Sequence, residues 1–312
     1  MYPILTMASR YIADWITRFL AERPVRANSL IITVYGDMIA VHGGAVWLGS
    51  FIRLVAPLGM NQRMVRTSVF RLVKEQWLIA EQLGRRSYYS LTALGRRRFE
   101  HAYRRIYDGP QSDWNGQWQM VLTGSSLPPP AREALRKELL WEGFGSIAPG
   151  VLAHPSANVA SLMDILDDSG SRDQVVVLQA QALGNSNGKA LQELVHQCWG
   201  LASLAADYKH FIARFRPALA AMRSSRRLDP EQCFVLRTLL MHEFRRVQLR
   251  DPQLPQQLLA TDWPGHTARK LCQEIYRLIH AGAREHLMAV LETAQGPLPA
   301  PAPYFYTRFG GL

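Results

Sequence analysis

Basic and polar side chains recur between residues 62 and 74 at steps of three and four, the spacing that places residues on one face of an α-helix. They are Gln62, Arg63, Arg66, Thr67, Arg71 and Lys74. The other face carries an apolar stripe of Val65, Val69, Leu72 and Val73. An arginine fork can bind O6 and N7 of guanine together, and basic side chains also bind phosphates. The pattern therefore predicts a helix that packs on a scaffold and presents a face suited to the major groove of DNA.

The position of each side chain along this helix suggests its role. We assign base contacts to Arg63, Arg66 and Thr67, because they lie one turn apart at the start of the helix. Arg71 and Lys74 lie further along, where contacts to phosphates are expected. The alternative interpretation is that these side chains only solvate a surface helix.

The elements around this helix have the order of a winged helix-turn-helix, in which the third helix enters the major groove. An amphipathic lead-in helix is predicted over 6–22. Asn28 is expected to cap a helix reaching His42, a short segment follows at 45–47, and a second helix covers 48–56. Asn61 is expected to cap the third helix, which reaches about Gln76.

A basic hairpin is predicted after the third helix, from strands at 77–83 and 87–91 joined by Gly84-Arg85-Arg86. Arg85 and Arg86 at its tip are expected to contact the neighbouring backbone or the minor groove, and so to raise the salt dependence of binding. Thr92 then caps a fourth helix. Its outer face is predicted to be basic through Arg96, Arg97, Arg98, Arg104 and Arg105.

Positive charge is concentrated in the same third of the chain. The 312 residues carry 36 Lys and Arg against 25 Asp and Glu, a formal net charge of +11. Residues 1–110 hold 16 of these basic residues and 7 of the acidic ones, so the remainder is nearly neutral. A basic domain on a near-neutral body favours a polyanionic partner such as nucleic acid.

The rest of the chain predicts a small α+β unit followed by helices. A linker is expected at 108–116, then a strand at 118–123, a helix at 131–141, an extended segment at 144–152, a helix at 159–166 and a strand at 174–180. Helices follow at 190–222, 229–248 and 264–293. The tail from Gly296 is expected to pack loosely or in extended form.

The three cysteines form no CxxC pair and no signal peptide or membrane span is visible, so we expect a cytoplasmic protein.

Several longer segments resemble the PaaX family, repressors of phenylacetate degradation operons. They are residues 26–37 (RANSLIITVYGD), 47–54 (WLGSFIRL), 61–72 (NQRMVRTSVFRL), 114–118 (WNGQW), 242–246 (HEFRR), and 251–252 with 262–265 (DP and DWPG). The resemblance implies an α+β chain with a winged helix-turn-helix domain over 1–108, a ferredoxin-like domain over 114–188 and a helical effector and dimerisation domain over 189–312. It also implies a homodimer on double-stranded DNA and release by phenylacetyl-coenzyme A.

An effector of that class needs cations for its phosphates and an apolar pocket for its acyl group. We expect Arg245 and Arg246 to supply the cations, Trp263 and Tyr208 to wall the pocket, and His242 to donate to a carbonyl. The structural alternative is that Arg245 or His242 pairs with Asp251, Asp262 or Glu243 and holds the proline-rich passage in place. For each residue taken alone, this structural role is at least as well supported as a role in effector binding.

Two other functions stay open from the sequence. One is a thioester hydrolase acting on acyl-coenzyme A with an accessory basic domain, although no GxSxG elbow is present. The other is a nucleic-acid-binding structural protein without an effector. No pattern for a cofactor, a metal or a phosphate-cradling loop is present. The implied central fold also occurs in CRISPR-associated nucleases, but the strand at 119–123 lacks their aspartate, which argues against nuclease activity.

Overall fold

The structure of the chain, a computed structural model, describes residues 7–22, 26–109, 114–124, 126–181, 188–224 and 228–312. The chain forms two compact units. The first unit comprises Met1–Gly109, His210–Arg246 and Thr267–Leu312, and the second comprises Pro110–Lys209 and Val247–His266. Both contain helices and antiparallel strands, which agrees with the predicted α+β class. No helix in the described ranges is long and apolar enough to cross a bilayer.

The N-terminal part of the first unit combines helices with a small sheet. The helices are α1 (Met7–Glu22), α2 (Ala27–Val34), α3 (Leu48–Val55), α4 (Gln62–Lys74) and α5 (Ala93–Tyr107). The strands β1 (Val46–Trp47), β2 (Leu78–Leu83) and β3 (Arg86–Leu91) pair antiparallel in the order β1-β3-β2. α2 continues through a π-helical turn at Tyr35–Ile39 and a 3-10 turn at Ala40–His42. The order of elements is the predicted one.

Two predicted details of this part are wrong. α2 begins at Ala27 with Arg26 in the N-cap position, so Asn28 lies inside the first turn and does not cap the helix. Arg105, expected on the exposed basic face of α5, is buried. The reason is that the last turn of α5 packs inside the unit, where Arg269 donates hydrogen bonds to the carbonyls of Ile106 and Tyr107 at 3.2 and 2.6 Å.

The second unit contains a four-stranded antiparallel sheet with two helices. Its elements are β4 (Gln117–Thr123), α6 (Pro129–Glu142), β5 (Gly145–Ala148), β6 (Val151–His154), α7 (Val159–Asp168) and β7 (Val175–Gln181), and the strand order is β5-β6-β4-β7. This βαββαβ arrangement is ferredoxin-like. The single extended segment predicted at 144–152 is a hairpin instead, because Gly150, with φ +74°, turns the chain back. The sheet and helices enclose a core of Val121, Leu135, Leu139, Phe144, Leu162 and Leu166.

The C-terminal third is mainly helical, with α8 (Lys189–Trp199), α9 (Leu201–Arg223), α10 (Pro230–Gln248) and α11 (Pro264–Val290), followed by a short hairpin of β8 (Glu292–Thr293) and β9 (Gly296–Pro297). The prediction of one helix over 190–222 is wrong. Gly200 adopts φ +57°, a left-handed conformation that ends α8 before α9 begins.

The tail after β9 packs into the first unit, contrary to the expectation of loose packing. The amide of Ala302 donates to the carbonyl of Val41 at 2.8 Å, and Phe305, Arg308 and Phe309 are buried. The fully buried arginine explains the difference, since its charge requires a partner inside the protein.

That partner belongs to a buried group of charged and phenolic side chains in the first unit, which we call the Asp37 cluster: Asp37, Tyr107, Arg237, Tyr276 and Arg308. Arg237 Nε lies 2.7 Å from Asp37 Oδ2, and Arg308 Nη1 lies 3.0 Å from Asp37 Oδ1. Tyr107 and Tyr276 donate to Asp37 Oδ1 at 2.5 and 3.0 Å. The cluster therefore joins the π-helical turn after α2 to α5, α10, α11 and the tail.

The ionisation of Asp37 is decided by competition between burial and its two arginines. Burial alone raises the pKa of this carboxyl group, but Arg237 and Arg308 outweigh it and hold the pKa below its ordinary value. A carboxyl group with a lowered pKa stabilises the folded state above its unfolded-state pKa of about 4 and loses that contribution as the pH falls through the folded-state value.

We expect Asp37→Ala to lower the free energy of unfolding at neutral pH by about 3–5 kcal/mol, because it leaves two buried guanidinium groups without their carboxylate. Asp14→Ala, at an exposed position on α1, is the matched control and should change it by less than about 0.5 kcal/mol. Urea unfolding monitored by circular dichroism measures both. The difference between wild type and Asp37→Ala should shrink below about pH 4. Equal losses in the two variants would contradict a structural role for the cluster.

Candidate nucleic-acid interface

Helix α4 starts and packs as its sequence predicts. The side chain of Asn61 accepts a hydrogen bond from the amide of Met64 at 2.9 Å, which satisfies one of the free donors at the start of the helix. Val65, Val69 and Leu72 are buried and hold one face of the helix against the first unit. The opposite face is therefore fixed in direction and turned to solvent.

All six predicted DNA-binding residues on α4 lie on that exposed face: Gln62, Arg63, Arg66, Thr67, Arg71 and Lys74. With its amide oxygen toward Arg66, Gln62 accepts hydrogen bonds from Nε and Nη2 of that arginine at 3.1 Å each. Among the described residues, no acidic side chain forms an ion pair with the four basic residues of this face. Their charge is thus available to an external anion.

The sequence interpretation missed Phe70, whose side chain is 70% exposed on the same face. It lies four residues after Arg66 and three after Thr67, between the residues predicted to contact bases and those predicted to contact phosphates. Its side chain is the most exposed of the large hydrophobic side chains among the described residues. The same three- and four-residue spacing that selected the arginines could have identified it.

The predicted wing is a hairpin, with Gly84 in a left-handed conformation (φ +60°) and Arg85 exposed beside it at the tip. Arg86 differs from the expectation of a free tip residue. It is the first residue of β3, its Nη1 lies 3.0 Å from Glu292 Oε2, and its guanidinium group lies 4.1 Å from the centre of the Trp47 ring.

Glu292 is a second residue that sequence spacing could not identify, because it lies 206 residues from Arg86. Its other oxygen accepts a hydrogen bond from Arg53 at 2.8 Å. Arg86 therefore connects the hairpin to α3 and β8, whereas Arg85 is exposed at the tip of the hairpin. Exposed ion pairs of this kind contribute about 0–1 kcal/mol each, so they position the hairpin more than they stabilise the fold.

Three of the predicted effector residues lie on α10 in the first unit. His242 is buried, with Nδ1 3.1 Å from the hydroxyl group of Thr33. Arg245 donates to the carbonyl and hydroxyl oxygens of Ser29 at 3.3 and 3.1 Å, and burial lowers the pKa of Arg245 to about 10. Arg246 points to solvent and pairs with Glu243 at 3.2 Å. These two arginines have different partners, because adjacent residues on a helix point in different directions.

The other two predicted effector residues, Tyr208 and Trp263, lie in the second unit, where their rings meet edge to face at 6.0 Å. The Tyr208 hydroxyl group donates to Asp251 Oδ2 at 2.5 Å and to Gln248 Oε1 at 3.2 Å. Asp251 Oδ1 in turn accepts from the amide of Gln253 at 2.7 Å. These contacts hold Asp251 and the start of the proline-rich passage in place through Tyr208, a residue that the structural alternative did not name.

The comparisons with known proteins agree along the chain. Residues 26–95 match the family described as PaaX-like protein, residues 111–192 the PaaX protein central Cas2-like domain, and residues 199–289 the PaaX-like protein C-terminal domain. The chain is 40% identical over 290 residues to the transcriptional repressor PaaX of Escherichia coli (strain K12), which covers 93% of this chain and 92% of the relative. The chain belongs to the PaaX family. The predicted resemblance is therefore confirmed.

Membership of the PaaX family also confirms the prediction of a regulator and not an enzyme, since the curated relative is a transcriptional repressor. Among solved structures, the uncharacterized protein Rv0674 from Mycobacterium tuberculosis is similar, with 21% identity and a TM-score of 0.48 over 90% of this chain and 99% of that chain.

We expect Tyr208→Phe to lower the free energy of unfolding by about 1.5–3 kcal/mol, because it removes a hydrogen bond to a buried carboxylate. Tyr11→Phe, at an exposed position on α1, is the matched control and should be neutral. Denaturant unfolding measures stability, and titration calorimetry with phenylacetyl-coenzyme A measures ligand affinity. Unchanged stability with weakened ligand binding would show that Tyr208 is an effector residue and not a structural one.

Proposed function

We propose that this member of the PaaX family is a cytoplasmic, DNA-binding transcriptional repressor of an aromatic-acid operon, such as one for phenylacetate degradation. The observation that carries the proposal is the α4 face, whose four cations are exposed and form no ion pair with described residues. The 40% identity to a transcriptional repressor supports it. An exposed basic face on a well-packed helix costs electrostatic repulsion that binding to a polyanion relieves.

In this proposal the first unit contains a winged helix-turn-helix. α3 and α4 are joined by a 3-10 turn at Ala56–Leu58 and by Gly59, whose φ of +78° allows a tight connection. Helix-turn-helix motifs use a short turn of this kind, often with a glycine. α4 is the reading helix, and the β2–β3 hairpin is the wing. The three-domain division over 1–108, 114–188 and 189–312 is part of the proposal, and the three family matches at 26–95, 111–192 and 199–289 support it.

Each exposed side chain of α4 receives a role. Arg63, Arg66 and Thr67 contact base edges, while Arg71 and Lys74 contact phosphates together with Arg85 of the wing. Gln62 holds the guanidinium group of Arg66 in place through its hydrogen bonds. Phe70 lies against the 5-methyl group of a thymine, the apolar feature that the major groove offers.

The proposed repressor is a homodimer. It binds two half-sites of a palindrome-like operator that lie about one DNA turn apart, at ~34–36 Å. The proposed effector is an aryl-acyl-coenzyme A such as phenylacetyl-coenzyme A. It releases the operator only if it binds the DNA-incompetent arrangement more tightly than the competent one. The dimer face is open to test by light scattering. A starting point is edge strand β7, where Val176 and Leu178 are exposed.

The first experiment is to find the operator by footprinting the promoters of aromatic-acid genes with wild-type protein. We then expect Arg63→Ala/Arg66→Ala to weaken binding to that fragment by at least about 30-fold, since two bidentate contacts to guanines contribute about 2–6 kcal/mol together. Fluorescence anisotropy measures the affinity. The matched control is Arg10→Ala/Arg18→Ala, which removes the same charge from exposed positions on α1.

The control double variant should bind the operator within about threefold of wild type, because a distant charge contributes only through the long-range field. Lys74→Ala should weaken specific and non-specific DNA alike and reduce the salt slope by about one. Retention of full operator affinity in Arg63→Ala/Arg66→Ala would remove the assignment of α4 as the reading helix.

A further inference from the structure

The first unit contains a pocket of about 410 Å³ beside α5 that none of the predicted effector residues lines. One face of α5 forms its first wall, through residues spaced by three and four positions: Arg96, Phe99, Glu100, Tyr103 and Arg104, with Asp108 directly after the helix. The volume is in the range of sites for small organic ligands, about 300–1,000 Å³. The predicted basic helix thus has a second property, an aromatic stripe framed by arginines.

The opposite wall is formed by the turn after α2, by the end of β3 and by the tail. Gly36 and Ala40 face the pocket from the π-helical and 3-10 turns, and Tyr304 faces it from the tail. Gly36 and Ala40 carry little or no side chain and so leave the space open. A methyl group added at Gly36 would lie 2.6 Å from Cε1 of Phe99, so this position admits only glycine without a shift of that ring. π-Helical turns such as this one occur frequently at functional sites.

A smaller chamber of about 30 Å³ lies next to the same three residues, Gly36, Phe99 and Tyr103. Its lining is mainly apolar, with Ile106 and Met241, and it reaches Arg245 on α10. The Nε atom of Arg245 is buried and has no hydrogen-bond partner among the described residues. The chamber of about 30 Å³ has room for a water molecule, and both Asp37 and Arg245 line it.

The lining indicates the chemistry of the ligand. The aromatic rings of Phe99, Tyr103 and Tyr304 favour a flat apolar group, and the Tyr103 ring is held edge to face against Tyr304 at 5.3 Å. Arg96 and Arg104 are exposed at the rim and form no ion pair with described residues. They lie eight residues apart, about 12 Å along the helix. Glu100 and Asp108 line the same pocket, so a fitting organic anion places its aromatic end against the rings and its charged group at one of the two arginines.

We propose that this pocket is the effector site of the repressor and that it binds an aromatic carboxylic acid, free or carried as a thioester on a phosphate-bearing group. The inference rests on the proposed function. Of the predicted effector residues it keeps Arg245, beside the smaller chamber, and leaves out His242, Arg246, Trp263 and Tyr208. The aromatic end enters beside Phe99 and Tyr103, and Arg96 or Arg104 binds the anionic group.

The position of the pocket explains how an occupant affects DNA binding. The Phe99 ring packs edge to face on Trp77 at 5.4 Å, and the amide of Trp77 donates to the carbonyl of Leu72 on α4 at 2.8 Å. A ligand that displaces Phe99 therefore moves the end of the reading helix directly. Leu91, the last residue of β3, lines the same pocket and links it to the wing.

Titration calorimetry of the full chain with phenylacetyl-coenzyme A, coenzyme A and phenylacetate tests the proposal. Ala40→Leu fills the pocket and should weaken, at least tenfold, the binding of whichever probe the wild-type protein binds. Ala93→Leu, at the exposed start of α5, should not weaken it. Arg96→Ala and Arg104→Ala remove exposed rim cations, and at least one should weaken binding at least fivefold. Arg97→Ala, exposed on the same helix outside the pocket, is their control. A thermal scan of each variant confirms folding.

The outcomes separate the pocket from the function. If the wild-type protein binds a probe and neither Ala40→Leu nor the rim variants weaken that binding, the pocket is not the effector site. The repressor proposal then remains in place. Binding of phenylacetyl-coenzyme A but not of phenylacetate assigns Arg96 and Arg104 to the carrier phosphates, and the reverse assigns them to the carboxylate; both support the pocket. If the wild-type protein protects its operator but binds none of the probes, the effector-site proposal alone is overturned.

Discussion

A carboxylate that folding removes from water determines how the first unit is assembled. Asp37 lies in the helical turn after α2, and its charge is stabilised chiefly by Arg237 from α10 and Arg308 from the tail, which reach it through the interior. Removing one partner of such a buried ion pair lowers the free energy of unfolding by several kcal/mol. Apolar side chains at the same positions would not require these particular partners. The cluster therefore specifies one arrangement of the N-terminal helices, the C-terminal helices and the tail.

Arginine has opposite roles in the two places that matter most. In the Asp37 cluster the guanidinium groups are buried and bound to a carboxylate and to phenolic hydroxyl groups, so they contribute to the fold. On α4 and along the rim of the α5 pocket they are exposed and unpaired with described residues, so their charge is available to DNA or to an anionic ligand. The two surfaces are connected, because Phe99 of the pocket packs on Trp77, three residues after the end of α4.

The spacing of residues along the sequence predicted those features that depend on neighbouring residues. The Asn61 cap, the buried stripe of α4 and the turn at Gly84 each depend on residues a few positions apart, and all are present. The sequence could not reveal the partners of Arg308 and Arg86, which lie 271 and 206 residues away. One signal was present for the first of these: Asp37 interrupts the longest apolar stretch, and a carboxylate in such a stretch requires a buried cation. The α5 pocket escaped because it needs glycine at position 36 and the tail, which spacing does not bring together.

The central claim, that the exposed face of α4 reads bases, is tested most directly by dimethyl sulfate footprinting of guanine N7, the atom that an arginine binds in the major groove. The account predicts that wild-type protein protects particular guanines of each operator half-site. It predicts that Arg66→Ala exposes one of them while the others stay protected at saturating protein. An unchanged protection pattern in that variant, or no protection of guanine N7 by the wild type, would contradict it.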